Sequence, residues 1–279
     1  TVNALPTVDA GSDQTVNLTN TISLDGTVSN AGTETTHSQV GTGSEWSSYG
    51  LSSTASNQRV QMLYTASELS TSGLSANDII KALSFYLDYH SCSSTYPSLT
   101  FKMGHYGSSS FSNTSYVTPS DYTTVLTTSS FSVSSTGWKK IDLDNHFTWN
   151  GTDNVIVEIC WSGGYACSGS NNYFRGQSIS NKMIYHWNTG CGLSSGYSND
   201  GDRLHIKFTE GGASYAWSTN ASNGTTGWSS STAEDITVTN SAIADHAGTY
   251  TLTATNSSTN CSASDNLTIT IPTPTITTS

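Results

Sequence analysis

Pro6-Thr-Val-Asp-Ala-Gly-Ser-Asp-Gln-Thr-Val-Asn-Leu18 and Ala247-Gly-Thr-Tyr-Thr-Leu-Thr-Ala-Thr-Asn256 lie near opposite ends of a 279-residue chain, yet they read as parts of one domain. The first stretch continues into Thr21-Ile-Ser-Leu-Asp-Gly26. The second belongs to a run that opens with Tyr215-Ala-Trp217 and closes with Leu267-Thr-Ile-Thr-Ile271. Neither piece alone holds enough strands for a β-sandwich. Joined, they total roughly 90 residues, close to the ~100 that such a domain needs. The expectation is a discontinuous sandwich from residues 1–34 plus 213–272, an inserted domain at 35–212, and an extended linker at 273–279. Loop tips accept such insertions when the ends of the inserted domain lie close together.

Composition agrees with an all-β chain. Serine and threonine make up about a third of the residues and charged residues 10%, while Thr, Val, Ile, Tyr and Trp recur in short runs between Gly, Asn and Ser. The one short helical turn expected is Ala66-Ser-Glu-Leu69. The formal net charge of -11, with nine Lys and Arg in all, argues against nucleic acid, since no basic stripe is present to neutralise phosphates. No apolar run is long enough to span a membrane, and no charged and apolar leader is written at the start. The chain therefore reads as a mature, extracellular segment, and its Thr/Pro-rich ends suggest semi-rigid connectors within an array.

Five cysteines stand at positions 92, 160, 167, 191 and 261 without the spacing of a zinc site. In a Ser/Thr-rich exported chain they read as disulfides. Three pairings are open to the four in the insert. Cys160–Cys191 with Cys92–Cys167 is the preferred one, and Cys261 is then free or intermolecular.

In the second piece Tyr215 and Trp217 alternate with small residues and so share one face of a strand. A tryptophan there is where an immunoglobulin-like sandwich places its central core residue. Asp245-His-Ala-Gly-Thr-Tyr250 resembles the run that builds a tyrosine corner. Two residues on, Leu252 stands where antibody-type domains carry a cysteine, and no cysteine occurs near Ser23, so this sandwich must hold by packing alone. Val8–Val16 and Gly248–Asn256 resemble the PKD-like and immunoglobulin-like repeats of secreted Bacteroidetes proteins.

The insert has its own strand series: Arg59–Tyr64, Ile79–Tyr89, Leu99–His105, Lys140–Leu143, Val155–Cys160, Met183–Trp187 and Leu204–Phe208. Leu83, Phe85, Leu87 and Tyr89 fall at every second position, which buries one face. Seven or more strands in this length point to a jelly-roll-type sandwich. Leu63-Tyr-Thr-Ala-Ser-Glu-Leu69, Phe101-Lys-Met-Gly-His105 and Phe147–Cys160 resemble a jelly-roll domain of large secreted Bacteroidetes proteins. That resemblance implies export by the type IX route, surface display, and a role in adhesion or as an enzyme accessory; it supplies no catalytic residues.

Candidate sites follow from residue type. The seven histidines are scattered without an i, i+2 or i, i+4 pair to favour a metal, although His90, His105 and His186 could approach one another in a sandwich. Asp200 and Asp202, and separately Asp142, Asp144 and Asp153, offer hard oxygen ligands for a structural calcium, although Asp/Asn/Gly clusters also make turns. Glu158 interrupts an apolar strand and is the best single catalytic candidate, but a glycosidase needs two facing carboxylates. Its alternation places it on an open or inter-domain face. Tyr165, Tyr173, Phe174, Tyr185, Trp187 and Tyr197 lie in a Gly/Ser/Asn-rich region and could stack on a sugar or pack at an interface. The reading is a non-catalytic structural or adhesive module of a surface adhesin or filament, without cofactor, associating with copies of itself. The alternative is a carbohydrate-binding accessory of a secreted hydrolase.

Overall fold

The computed structural model describes residues 5–16, 21–29, 32–47, 49–51, 53–164, 167, 171–188, 190–198, 200–222, 224–239, 246–256 and 259–272. Among them the chain is all-β apart from one helix, Ala66–Ser72. It divides into two compact units, Thr1–Glu34 with Gly211–Ser279, and Thr35–Glu210. No helix of the described residues is long and apolar enough to cross a membrane.

In the discontinuous unit, Ala213–Thr219, Gly248–Asn256 and Ser262–Thr270 form an antiparallel sheet, which Gln14–Thr15 extends by pairing in parallel with Ser262–Thr270. Ile22–Asp25 pairs with Asp235–Val238, and Thr7–Asp9 with Thr27–Ser29. Alternate residues of these strands bury one core: Ile22, Leu24, Trp217, Ile236, Val238, Tyr250, Leu252, Leu267 and Ile269. Leu252 lies fully buried in this core. The Tyr250 hydroxyl donates to the His246 carbonyl, four residues back, at 2.8 Å; Asp245 lies outside the described residues. The carboxylates of the first stretch cap backbone. Asp9 Oδ1 accepts from the Gly11 N–H at 2.9 Å, and Asp13 Oδ1 accepts from the Thr268 N–H at 2.7 Å.

The second unit packs two sheets face to face. One has the order Thr123–Val133, Ser94–Tyr106, Asn154–Ser162, Asn57–Tyr64, Met183–Trp187, with every pairing antiparallel. The other is organised around Ile79–Tyr89, which pairs with Gly137–Thr148 and with Ile206–Gly211 and Tyr173–Ile179. Tyr173–Ile179 also pairs with Glu45–Ser47 and Gly201–Leu204. Val60, Met62, Phe101, Val155, Val157, Ile159 and Trp161 from the first sheet meet Leu83, Phe85, Leu87, Ile206 and Phe208 from the second. Burying such side chains contributes ~1.5–3 kcal/mol each, enough to make the core the main source of stability.

One strand expectation changes, and one strand was not expected. Leu204–Phe208 is broken at His205, so that 201–204 pairs with Tyr173–Ile179 and 206–211 with Ile79–Tyr89. Thr123–Val133 is a strand that its Thr/Ser-rich sequence conceals, because it pairs on one side only and buries few of its side chains. The helix starts at a capping box. The Thr65 hydroxyl accepts from the Glu68 N–H, and Glu68 Oε2 accepts from the Thr65 N–H at 2.8 Å.

Cys92 is bonded to Cys167 and Cys160 to Cys191, leaving Cys261 as a thiol. Two disulfides mark a protein of an oxidising compartment.

Candidate functional site

Tyr173 opens the strand Tyr173–Ile179, and Trp46 sits on the short strand paired with it. Trp46 stacks on Tyr173 (centroids 5.3 Å apart) and on Tyr89 (5.4 Å). Trp46 remains 55% exposed and Tyr89 44%, unusual for large apolar side chains and the reason this cluster stands out. With Ser91 and Asn171 the three rings line a shallow cavity of about 460 Å³.

The surroundings hold these rings in place. Trp46 Nε1 donates to Asp88 Oδ2 at 2.8 Å, and Asp88 Oδ1 accepts from Arg175 Nη2 at 2.5 Å. Arg175 in turn lies over the Tyr86 ring, 4.8 Å from its centroid. The adjoining loops are joined by the fully buried Asn172, whose Oδ1 accepts from the Ser91 N–H while its Nδ2 donates to the Cys92 carbonyl and the Ser94 hydroxyl. The Cys92–Cys167 disulfide closes the same region. Aromatic faces held rigid beside amide and hydroxyl groups are suited to stacking on a ring with hydroxyls at its edge.

A second aromatic group comprises Tyr49, Tyr185, Trp187, His186 and Tyr197. Tyr49 lies 4.2 Å from Tyr185 and 5.7 Å from Trp187, and His186 stacks on Tyr197 at 3.8 Å. Tyr185 and Trp187 are partly buried against the sandwich core, so this group serves packing more than contact; Tyr197 is 60% exposed. Burial, and then the neighbouring Tyr49, push the Tyr185 hydroxyl up to about 12.

The six aromatics expected from the sequence therefore separate. Tyr173 belongs to the open cluster, and Tyr185, Trp187 and Tyr197 to the packed one. Phe174 is fully buried in the core and cannot be a platform, because strand alternation turns it opposite to its neighbour. Tyr165 lies outside the described residues. Trp46 escapes a sequence reading, a lone Trp among Gly and Ser at 41–50 being the available signal. Tyr89, expected by alternation on the buried face with Leu83, Phe85 and Leu87, is instead 44% exposed, because it is the last residue of its strand and lies past the packed part of that face.

Glu158 is not on an open face. The segment carrying Phe111, Tyr116, Val117 and Tyr122 covers that side of the sheet, leaving Glu158 3% exposed. Glu158 Oε2 accepts from Arg59 Nε and Nη2, Gln61 Nε2 and the Tyr122 hydroxyl, at 2.8–3.1 Å. Burial, and then the Glu158 charge, hold the Tyr122 phenol protonated, well above its ordinary range. This is a satisfied structural network. The expected calcium ligands are likewise engaged by turns and pairs. Asp200 Oδ1 accepts from the Asn181 N–H, Asp144 Oδ2 from the Thr127 N–H, Asp153 Oδ2 from Asn150 Nδ2, and Asp142 pairs with Lys140. Burial, and then the neighbouring Glu45, raise the Asp202 carboxyl above its usual range. His105 bonds Asp121 and the Asn150 N–H, and His186 bonds the Trp187 carbonyl and stacks on Tyr197.

No protein-family model, curated protein or solved structure matches this chain.

Proposed function

We propose that the chain is a non-catalytic adhesive module of an extracellular surface protein, and that its 35–210 unit makes contact with saccharide. In this reading the discontinuous unit is an immunoglobulin-like, PKD-like stalk, and the 35–210 unit is a jelly-roll-type domain carrying the contact surface. The observation that carries it is the open stack of Trp46, Tyr89 and Tyr173 around a cavity edged by Asn171 and Ser91. Pyranose rings present apolar C–H faces that stack on indole and phenol, while amide and hydroxyl groups read the equatorial hydroxyls. The saturated environment of Glu158 supports the non-catalytic part of the proposal. Display in a type IX-exported adhesin follows from the sequence resemblance and is part of the same proposal.

The test is binding of the full chain to an array of surface polysaccharides, followed by titration calorimetry on any hit. Trp46→Ala is expected to weaken the interaction by ~30-fold, as loss of an aromatic anchor does. Binding unchanged by Trp46→Ala, or no binding across the array, overturns the saccharide reading and leaves self-association through the chain ends to be tested by electron microscopy.

A further inference from the structure

We propose that His37, Asp78 and Glu210 form a binding site for a divalent transition metal of the zinc type. The three residues come from separate segments of the 35–210 unit, and their ligand atoms all lie within 4.8 Å of one another. His37 Nε2 is 3.9 Å from Asp78 Oδ2 and 3.6 Å from Glu210 Oε1. The His37 side chain is 10% exposed, and Nε2 is buried without a hydrogen-bond partner, aimed between the two carboxylates.

Each ligand is held by its own local structure. The His37 N–H donates to the Phe208 carbonyl and the Ser38 N–H to the Ser72 carbonyl, which fixes the backbone on both sides. The imidazole lies against Gly73, the left-handed residue (φ +116°) that ends the helix Ala66–Ser72; a Cβ there would come within 2.8 Å of His37 Nδ1. Asp78 Oδ2 accepts from the Ser75 N–H at 2.7 Å, and the Asp78 carbonyl accepts from the Trp149 N–H. Glu210 follows a register shift in the strand Ile206–Gly211. Such bulges re-aim a side chain out of the regular alternation.

The chemistry of the donors selects the ion. One imidazole nitrogen with two carboxylates suits zinc and its first-row neighbours, whereas calcium and magnesium prefer oxygen alone. Zinc takes nitrogen and oxygen ligands at about 2.0–2.2 Å, which sets tetrahedral ligands ~3.3–3.5 Å apart. The gaps of 3.6 and 3.9 Å from His37 Nε2 are near that spacing, and with all the ligand atoms within 4.8 Å of one another the carboxylates draw in by at most ~1.5 Å on binding. With a neutral imidazole the cluster carries two negative charges in a place only 18–22% exposed, which a dication neutralises. A fourth position remains for water. His37 lies two residues after the unit begins and Glu210 is its last residue, so a bound ion cross-links the two ends of the 35–210 segment to Asp78.

The experiment uses the full, untagged chain stripped with chelator, titrated with zinc chloride by calorimetry and with cobalt(II) by visible absorption. Expected are one ion per chain, the absorption of tetrahedral cobalt, and a Tm raised by about 5–10 °C at a hundredfold excess over Kd. Glu210→Gln and Asp78→Asn, each checked for unchanged melting in chelator, should weaken binding ~100-fold; His37→Gln should do the same and abolish the imidazole contribution to the cobalt spectrum. The absence of stoichiometric binding, binding that survives Glu210→Gln and Asp78→Asn, or a His37 imidazole that carries protons on both nitrogens with zinc present overturns the proposal. In that event the cluster is an ion-paired histidine.

Discussion

Trp46 stacks on Tyr173 with their ring planes inclined by only 16°, and Trp46 is tethered through its indole N–H to Asp88. A stack that is exposed and yet anchored at its polar edge keeps its apolar faces available without collapsing inward. The anchor continues from Asp88 to Arg175 and from Arg175 to the face of Tyr86. A surface held this way loses little rotamer entropy when a ligand arrives.

Asp88→Ala should therefore weaken saccharide binding by ~5–10-fold while leaving the melting curve nearly unchanged, because it frees Trp46 without removing it. The Trp46 Nε1 proton should exchange faster with solvent, which NMR reports directly. An affinity equal to wild type with fast indole exchange would show that the tether is irrelevant to binding.

Arg203 is fully buried, its guanidinium forked onto Glu68 at 2.6 and 3.0 Å and bonded to the Leu63 carbonyl. Glu68 keeps partial solvent access, so Arg203→Ala should cost about 2–3 kcal/mol in urea unfolding, less than breaking a fully buried pair. Burial alone would raise the Glu68 carboxyl, but Arg203 and the Thr65 cap outweigh it and hold it at about 2, against an ordinary 4.5. A depressed carboxylate contributes stability that is fully present above its unfolded value and is lost as pH falls towards its folded one. Unfolding free energy should thus fall between about pH 4.5 and 2, with a shallower fall in Arg203→Ala.

The disulfides close segments of 75 and 31 residues. By the loop-entropy relation each restricts the unfolded chain by ~4 kcal/mol. Cys92→Ser with Cys167→Ser should lower the Tm of the 35–210 transition by roughly 10 °C. The discontinuous unit, which has no cross-link among its described residues, should melt at the same temperature with or without reductant.

Tyr250→Phe removes the bond to the His246 carbonyl while keeping the ring in the core. The loss should be ~1–2 kcal/mol, since the carbonyl is left with one partner fewer. Leu252→Ala, which opens a cavity in the same core, should cost more, ~2–5 kcal/mol. Differential scanning calorimetry distinguishes the two.

The strand content, the start of the short helix at Ala66 and the alternation that buries Leu83, Phe85 and Leu87, though not the expected Tyr89, are local properties, written in period and composition, and so they were legible in the chain itself. The role of Tyr250 was legible for the same reason, because its partner lies four residues away. Cysteine spacing left three pairings open, with Cys92–Cys167 and Cys160–Cys191 preferred, and the fold brings those pairs together. Phe174 looked like its neighbour Tyr173, and Glu158 looked surface-facing. One-residue alternation decided the first and the covering segment around Tyr122 the second. The stack of Trp46 on Tyr89 and Tyr173, and the meeting of His37 with Asp78 and Glu210, depend on strand order across the sheets. Sequence determined which segments become strands and which of their faces are apolar. Only the tertiary structure decided which side chains meet, because non-local pairing is set by the sum of many packing contacts and not by any one segment.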